Sequence, residues 1–190
     1  MVNANSSMKI GCRLTWRSVV LIISASASSA MKLGVPGLFS PSLLIAFGFG
    51  TGLSPFAPGT VATAWAWLSF NVLQPVTPDW VWVLLLTAGF FIGLWAIGKT
   101  TQLLNQHDPS SIVWDEILAF WLVLWILNGS LMQEALAFVL FRLFDVLKPG
   151  PVAWADQRFK GAFGVIFDDL IAAGLSLFCM AVLLRLLPEA

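Results

Sequence analysis

The 190 residues contain no tyrosine, one histidine and two cysteines, and charged side chains make up only 11% of them. The shortage of charge decides most. A soluble domain of this size carries about a quarter Asp, Glu, Lys and Arg, so most of this surface does not face water. Ten basic residues balance ten acidic ones, which leaves no basic footprint for nucleic acid. Cys12 and Cys179 fit neither a metal-ligand spacing nor a nucleophile signature, and they read as small apolar residues. What is abundant is apolar. Hydrophobic residues reach 58%, the mean hydropathy is +0.87, and there are ten Trp and fifteen Phe. Trp in such excess suits a lipid-embedded chain, because indoles favour the membrane interface.

Residues 1–38 read as an N-terminal extension. Lys9, Arg13 and Arg17 precede Val19 to Ile23 and the small-residue run Ser24 to Ala30, the order of a signal peptide. The apolar run is short and Met31 follows, so a start site placed too far upstream fits as well. Residues 39–190 read as one membrane-embedded domain. Its first segment, Ser42 to Phe56, is apolar but broken by Gly48, Gly50, Gly52 and Pro55. That pattern predicts a short or re-entrant element ending in a tight loop. Helix-length apolar runs follow at Val61 to Gln74, Asp79 to Gly98, Ile112 to Leu127, Leu131 to Leu147 and Val165 to Leu187. Lys99 to Ser111 and Lys148 to Gly164 read as polar loops. The expected architecture is all-α: a multi-pass membrane bundle of about four to five helices plus the Gly/Pro-broken segment.

Alternating direction through such a bundle has a consequence. Asp115 and Glu116 start one helix, Arg142 and Asp145 end the next, and Asp168 and Asp169 start the last. All fall on one membrane face. That face also collects Lys99, Lys148, Arg158 and Lys160, against Arg185 on the other. The positive-inside rule makes it cytoplasmic.

Two adjacent carboxylate pairs in apolar helices are costly, and such groups usually face a bundle interior. They cannot all stay ionised at close range without a counter-charge. Oxygen-only ligands favour a hard divalent cation such as Mg²⁺. Glu116 and Asp169 read as the more inward members, with Asp115 and Asp168 assisting. The competing structural reading leaves the acids in the headgroup zone, paired with Arg158 and Lys160. Arg142, Asp145 and Lys148 recur every three residues and share a helix face. That stripe can put Asp145 on the metal and leave two cations for a phosphate, or it can be a local ion pair. The loop before residue 60 lacks the lysine of a Walker loop, yet the helix start at Gly59 and Thr60 can bind an anion through its backbone. His107, followed by Asp108, reads either as a solvated loop residue or as a general acid for a leaving alkoxide.

These residues resemble the bacterial phosphatidylglycerophosphatase A family. The resemblance spans about residues 44 to 175 and rests on GFGTGLSPFAPGT (Gly48 to Thr60), SIVWDEI (Ser111 to Ile117), FRLFDVLKPGP (Phe141 to Pro151) and GVIFDDLIAAG (Gly164 to Gly174). Ala119 and Ala162 stand where glycine is common in that pattern. The resemblance implies an inner-membrane enzyme that removes the terminal phosphate of phosphatidylglycerophosphate and requires Mg²⁺. Its acidic positions correspond to Asp115, Glu116, Asp145, Asp168 and Asp169, and its basic positions to Arg142 and Lys148. The expected mechanism has the ion among Glu116, Asp169 and Asp145. Arg142, Lys148, Gly59 and Thr60 hold the phosphate, and water attacks phosphorus in line. A phosphocysteine route has no cysteine to use, whereas a phospho-aspartate route stays open. The expected partners are a phospholipid substrate and the membrane, with no obligate protein partner. The rival class is a transporter or channel passing cations along the carboxylates. It predicts acids spread along a path, whereas these gather at helix ends.

Overall fold

The computed structural model describes residues 40–105 and 110–186, and among them every regular element is helical. A short helix α1 (Pro41–Ala46) leads into a 3₁₀ segment (Gly48–Leu53). Gly52 packs so closely on the Ser111 carbonyl that a Cβ there would collide with it. The backbone of Val113 also donates to Ala46 across 3.0 Å. The Gly-rich segment is thereby tied to the entrance of a helix more than fifty residues later.

Five longer α-helices and one short α-helix follow, with a 3₁₀ turn (Gln74–Val76) after the first. Helix α2 (Pro58–Leu73) begins at Pro58, earlier than the expected Val61, because a proline in the first turn needs no N–H partner and is preset in φ. Helix α3 (Asp79–Leu104) continues past the expected end at Gly98. Thr101 satisfies its hydroxyl on the Gly98 carbonyl at 3.0 Å, and the chain turns only at Asn105, whose φ is +49°. Helices α4 (Trp114–Leu127) and α5 (Leu131–Leu147) form a hairpin through Asn128 at φ +39°. A reciprocal cap of Ser130 and Gln133 opens α5.

The stretch expected as a polar loop after Lys148 instead holds α6 (Gly150–Arg158). Its Gly-Pro pair starts a helix rather than breaking one, and Val152 and Ala155 bury its inner side. The last helix, α7 (Gly161–Leu186), starts at Gly161 rather than Val165. Helix α4 is the centre of the bundle, packed against α2 and α7. Phe120, Ile117 and Leu124 are completely covered, as expected for a helix that is apolar all round.

Helices α3 and α7, each of 26 residues, are long and apolar enough to cross a membrane. Only 28% and 39% of their most apolar stretches are buried inside the protein. On α3, Trp80, Leu84, Phe91 and Trp95 are all more than half exposed. Apolar surface on that scale marks contact with something other than water. At the end of the bundle away from α4's acids, the buried Glu134 ties α5 to α2. Its Oε2 accepts from Trp67 Nε1 at 2.6 Å and from Asn71 Nδ2 at 2.9 Å.

Candidate active site

The start of α2, the start of α4, the end of α5, and α6 with the start of α7 meet around one cavity of about 640 Å³. Six acids line it: Asp115, Glu116, Asp145, Asp156, Asp168 and Asp169. Among the described residues only three basic side chains do so, Arg142, Lys148 and Lys160. The cavity therefore gathers both acidic pairs and the Arg142–Asp145–Lys148 stripe.

Arg142 sits between two acids. Its Nη1 lies 3.0 Å from Glu116 Oε1 and 2.8 Å from Asp145 Oδ2. The i,i+3 pairing read from the sequence is present, but the arginine also reaches across to α4. Behind it, Thr63 Oγ1 lies 3.5 Å from Arg142 Nη1 and donates to the Gly59 carbonyl at 2.8 Å. Glu116 rests on Gly59 so closely that any Cβ at that position would overlap its carboxylate. Glycine there is a requirement of the site, since residue 59 otherwise lies in ordinary helical backbone.

Lys148 closes α5 in a left-handed conformation, φ +43°. That turn aims its ammonium at α6 and α7, where Nζ lies 2.7 Å from both Asp156 Oδ1 and Asp168 Oδ2. Burial works against its charge, but the bonds to Asp156 and Asp168 outweigh burial and hold the ammonium above its ordinary pKa. The same bond from Lys148 holds the half-buried Asp156 below the usual carboxylate range. Lys160 Nζ donates to the Asp156 carbonyl at 2.7 Å. The acids thus find their partners in Arg142 and Lys148 rather than in Arg158 and Lys160.

Among the described residues, four carboxylate oxygens are buried with no hydrogen-bond partner: Asp115 Oδ1, Glu116 Oε2, Asp168 Oδ1 and Asp169 Oδ2. Unsatisfied buried oxygens on four converging acids need a cation or protons to be tolerable. No three of the described Asp, Glu, Cys and His side chains meet as a ready ligand set. The reason is visible in the pairing: the two cations hold Glu116, Asp145 and Asp168. The donor set is all oxygen and carries more negative than positive charge, which fits a hard divalent ion once the basic groups turn to a phosphate.

Two sequence expectations shift. Glu116 is not the more inward of its pair: Asp115 is buried, whereas Glu116 is only partly buried, because the longer chain reaches out to α2 and α5. Asp169 is, as expected, slightly the more buried of the other pair, at 3% against 6% for Asp168. Thr60 does not line the cavity, whereas Ala57, Pro58 and Gly59 do, and the threonine behind the arginine is Thr63. His107 and Asp108 lie outside the described residues, as do residues 1–38. Sequence reasoning missed Asp156, whose signal is only a lone acid in a segment read as loop.

Residues 44–184 match the family described as Phosphatidylglycerophosphatase A. The chain belongs to the phosphatidylglycerophosphatase A family. It is 37% identical to the phosphatidylglycerophosphatase A of Escherichia coli (strain K12) over 151 residues, covering 79% of this chain and 84% of that protein. It is 39% identical to the phosphatidylglycerophosphatase A of Haemophilus influenzae over 141 residues, covering 72% and 84% respectively. A Bacteroides thetaiotaomicron protein provisionally named phosphatidylinositol-3-phosphatase is 37% identical over 147 residues, covering 74% of this chain and 91% of its own length. No solved structure matches. All four sequence motifs contribute residues to the cavity of acids and paired cations.

Proposed function

We propose that the protein hydrolyses the phosphomonoester of phosphatidylglycerophosphate to phosphatidylglycerol and inorganic phosphate, with Mg²⁺, at the cytoplasmic face of the inner membrane. The observation that carries this reading is the single cavity with four orphaned carboxylate oxygens beside two convertible ion pairs, in a chain of this family. Two helices fit a bilayer by length and composition, and α2, α4 and α5 complete a multi-pass bundle around the site. The basic residues at the site end support a cytoplasmic orientation. Clustering at one end, rather than along the bundle, argues against a cation path.

Glu116, Asp169 and Asp145 would hold the ion, with Asp115 and Asp168 beside them. When bound, Mg²⁺ supplies Lewis-acid polarisation of the phosphoryl group and offsets the clustered negative charge. The protein does the rest. Arg142 and Lys148 turn from their acids to the phosphate, Arg as a fork and Lys as a point charge, and the Gly59 backbone at the start of α2 supports the same anion. Asp115 orients the attacking water and takes its proton, in line with the departing glycerol oxygen. His107 protonates that oxygen. A transient phospho-aspartate on Asp145 or Asp169 is the competing route, and trapping labelled phosphate on either would establish it.

The test is phosphate release from phosphatidylglycerophosphate by purified, detergent-solubilised protein, with Mg²⁺ or EDTA and alongside Asp169→Ala. Release that requires Mg²⁺ and vanishes in the variant supports the reading. Release unaffected by EDTA removes the metal, and equal or greater release from phosphatidylinositol 3-phosphate moves the substrate.

A further inference from the structure

A second cavity lies outside the carboxylate site. It is a groove of about 290 Å³ between α3, α4 and α7, lined by Leu86, Thr87, Phe90, Leu118, Leu122 and Leu170. Among the described residues, Thr87 is the one polar residue that lines it, and no charged residue does. We propose that this groove seats one acyl chain of the phospholipid substrate while the headgroup occupies the carboxylate cavity. The proposal rests on the reading of the substrate as a membrane phospholipid.

Three observations place that chain here. The first is continuity. Ile112 and Val165 line the carboxylate cavity, and they belong to the same apolar cluster as Leu118, Leu86, Phe90 and Leu170. One continuous apolar cluster therefore borders both cavities. The second is register. On α4 the residues Asp115, Leu118 and Leu122 fall on one stripe at i, i+3 and i+7. At a rise of 1.5 Å per residue the leucines lie about 4.5 and 10.5 Å from the acid along the helix. They lead away from the site end into the apolar length of the bundle, the depth at which the chains of a headgroup-anchored lipid run. The third is width. A volume of 290 Å³ admits a single polymethylene chain, but not a helix of a partner protein, about 10 Å across with its side chains.

The function of such a seat is positional. A lipid held by its phosphate alone can rotate about that anchor. A chain fixed one to two turns away removes that freedom and aligns the phosphorus with the attacking water, which is how remote binding energy contributes to rate.

The test fills the groove from its exposed wall. Thr87→Phe projects a ring into it, and Thr87→Val keeps its size. Both are compared with the unmodified protein in mixed micelles, on dioleoyl and on dihexanoyl phosphatidylglycerophosphate. The expected result is a fall of about tenfold in kcat/KM for the dioleoyl lipid with Thr87→Phe, the equivalent of about two methylenes left unburied. The dihexanoyl lipid should change by less than about twofold, since its short chains barely reach Leu122. Thr87→Val should match the unmodified protein on both. Equal loss on the two lipids, or no loss on either, overturns the proposal. If Thr87→Phe does not fold, the unmodified protein decides, through a substrate carrying a photoreactive diazirine in its acyl chain. Label on 86–90 or 118–122, displaced by unlabelled substrate but not by phosphatidylcholine, supports the seat. Label elsewhere, or displaced equally by phosphatidylcholine, overturns it in favour of ordinary bilayer lipid. No phosphate release from either chain length by the unmodified protein would instead overturn the substrate reading, and the seat with it.

Discussion

Replacing Gly59 with alanine adds one methyl group, yet that methyl has nowhere to go but into the Glu116 carboxylate. Residue 59 lies in the first turn of α2, so alanine suits the backbone and gains about 1 kcal/mol in helix propensity. The obstacle is the free end of a flexible side chain, so Glu116 yields rather than the helix. In yielding it leaves Arg142, 3.0 Å away. A hydrogen bond to a charged group contributes about 1.5–3 kcal/mol. If that interaction sets the arginine for phosphate, kcat/KM falls by about 10- to 150-fold at 1.36 kcal/mol per decade. Stability should fall by only about 0.5–2 kcal/mol, since the propensity gain offsets part of the lost bond. The assay is phosphate release beside a urea unfolding curve in the same detergent. Shortening the acid should make room for the methyl, so Gly59→Ala combined with Glu116→Asp should recover more activity than the two single losses predict. Full activity in Gly59→Ala would refute the argument, and so would a loss of activity matched by collapse of the fold.

Lys148→Met leaves Asp168, 6% exposed, without its cation. Breaking a fully buried pair costs about 3–5 kcal/mol, and because the Lys148 side chain is 35% exposed a discounted loss of about 1–3 kcal/mol is expected. An unfolding midpoint equal to that of the unmodified protein would show that the bridge contributes nothing. The pH dependence of this clamp has a defined sign. Asp156 is held below its ordinary range, so its contribution is present above the unfolded value near 3.9 and is lost as pH falls through the lower folded value. Lys148 is held above its ordinary range, so its contribution is complete below about 10.4 and is lost as pH rises through its folded value. Between about pH 5 and 9 these two contributions are constant, and Asp156→Asn should flatten the acid edge of a stability–pH curve and also shrink the alkaline one, because Asp156 helps to hold the Lys148 charge.

The gathering of the acids was legible because acids in apolar sequence are conspicuous and helix direction alternates. Asp115, Glu116, Asp145, Asp168 and Asp169 needed only those two rules to fall at one end. What was not legible depended on details the pattern does not carry. Gly150-Pro151 reads as a breaker, yet it opens α6 and so brings Asp156 within 2.7 Å of Lys148. Which member of an adjacent pair points inward depends on side-chain length as well as on rotation about the helix, and Glu116 is long enough to leave its own helix for Gly59. The choice of Thr63 over Thr60 follows from the threonine that returns its hydroxyl to the helix one turn back. The extra turns of α3 hinge on Thr100 and Thr101, polar in sequence but satisfied or buried inside the helix.

Glu134 sits far from any phosphate, but it sets a lever. Its bond to Trp67 lies eight residues from Gly59 along α2, and Glu134 itself lies eight residues from Arg142 along α5. Both arms are therefore about 12 Å long, and their tips are the two groups that the Glu116 carboxylate touches. A splay of about 5° at that pivot moves each tip by about 1 Å, a displacement that can cost a reaction about a hundredfold. An indole and an amide sharing one carboxylate oxygen thus fix the α2–α5 spacing eight residues from the arginine, which Glu116 and Asp145 then hold locally.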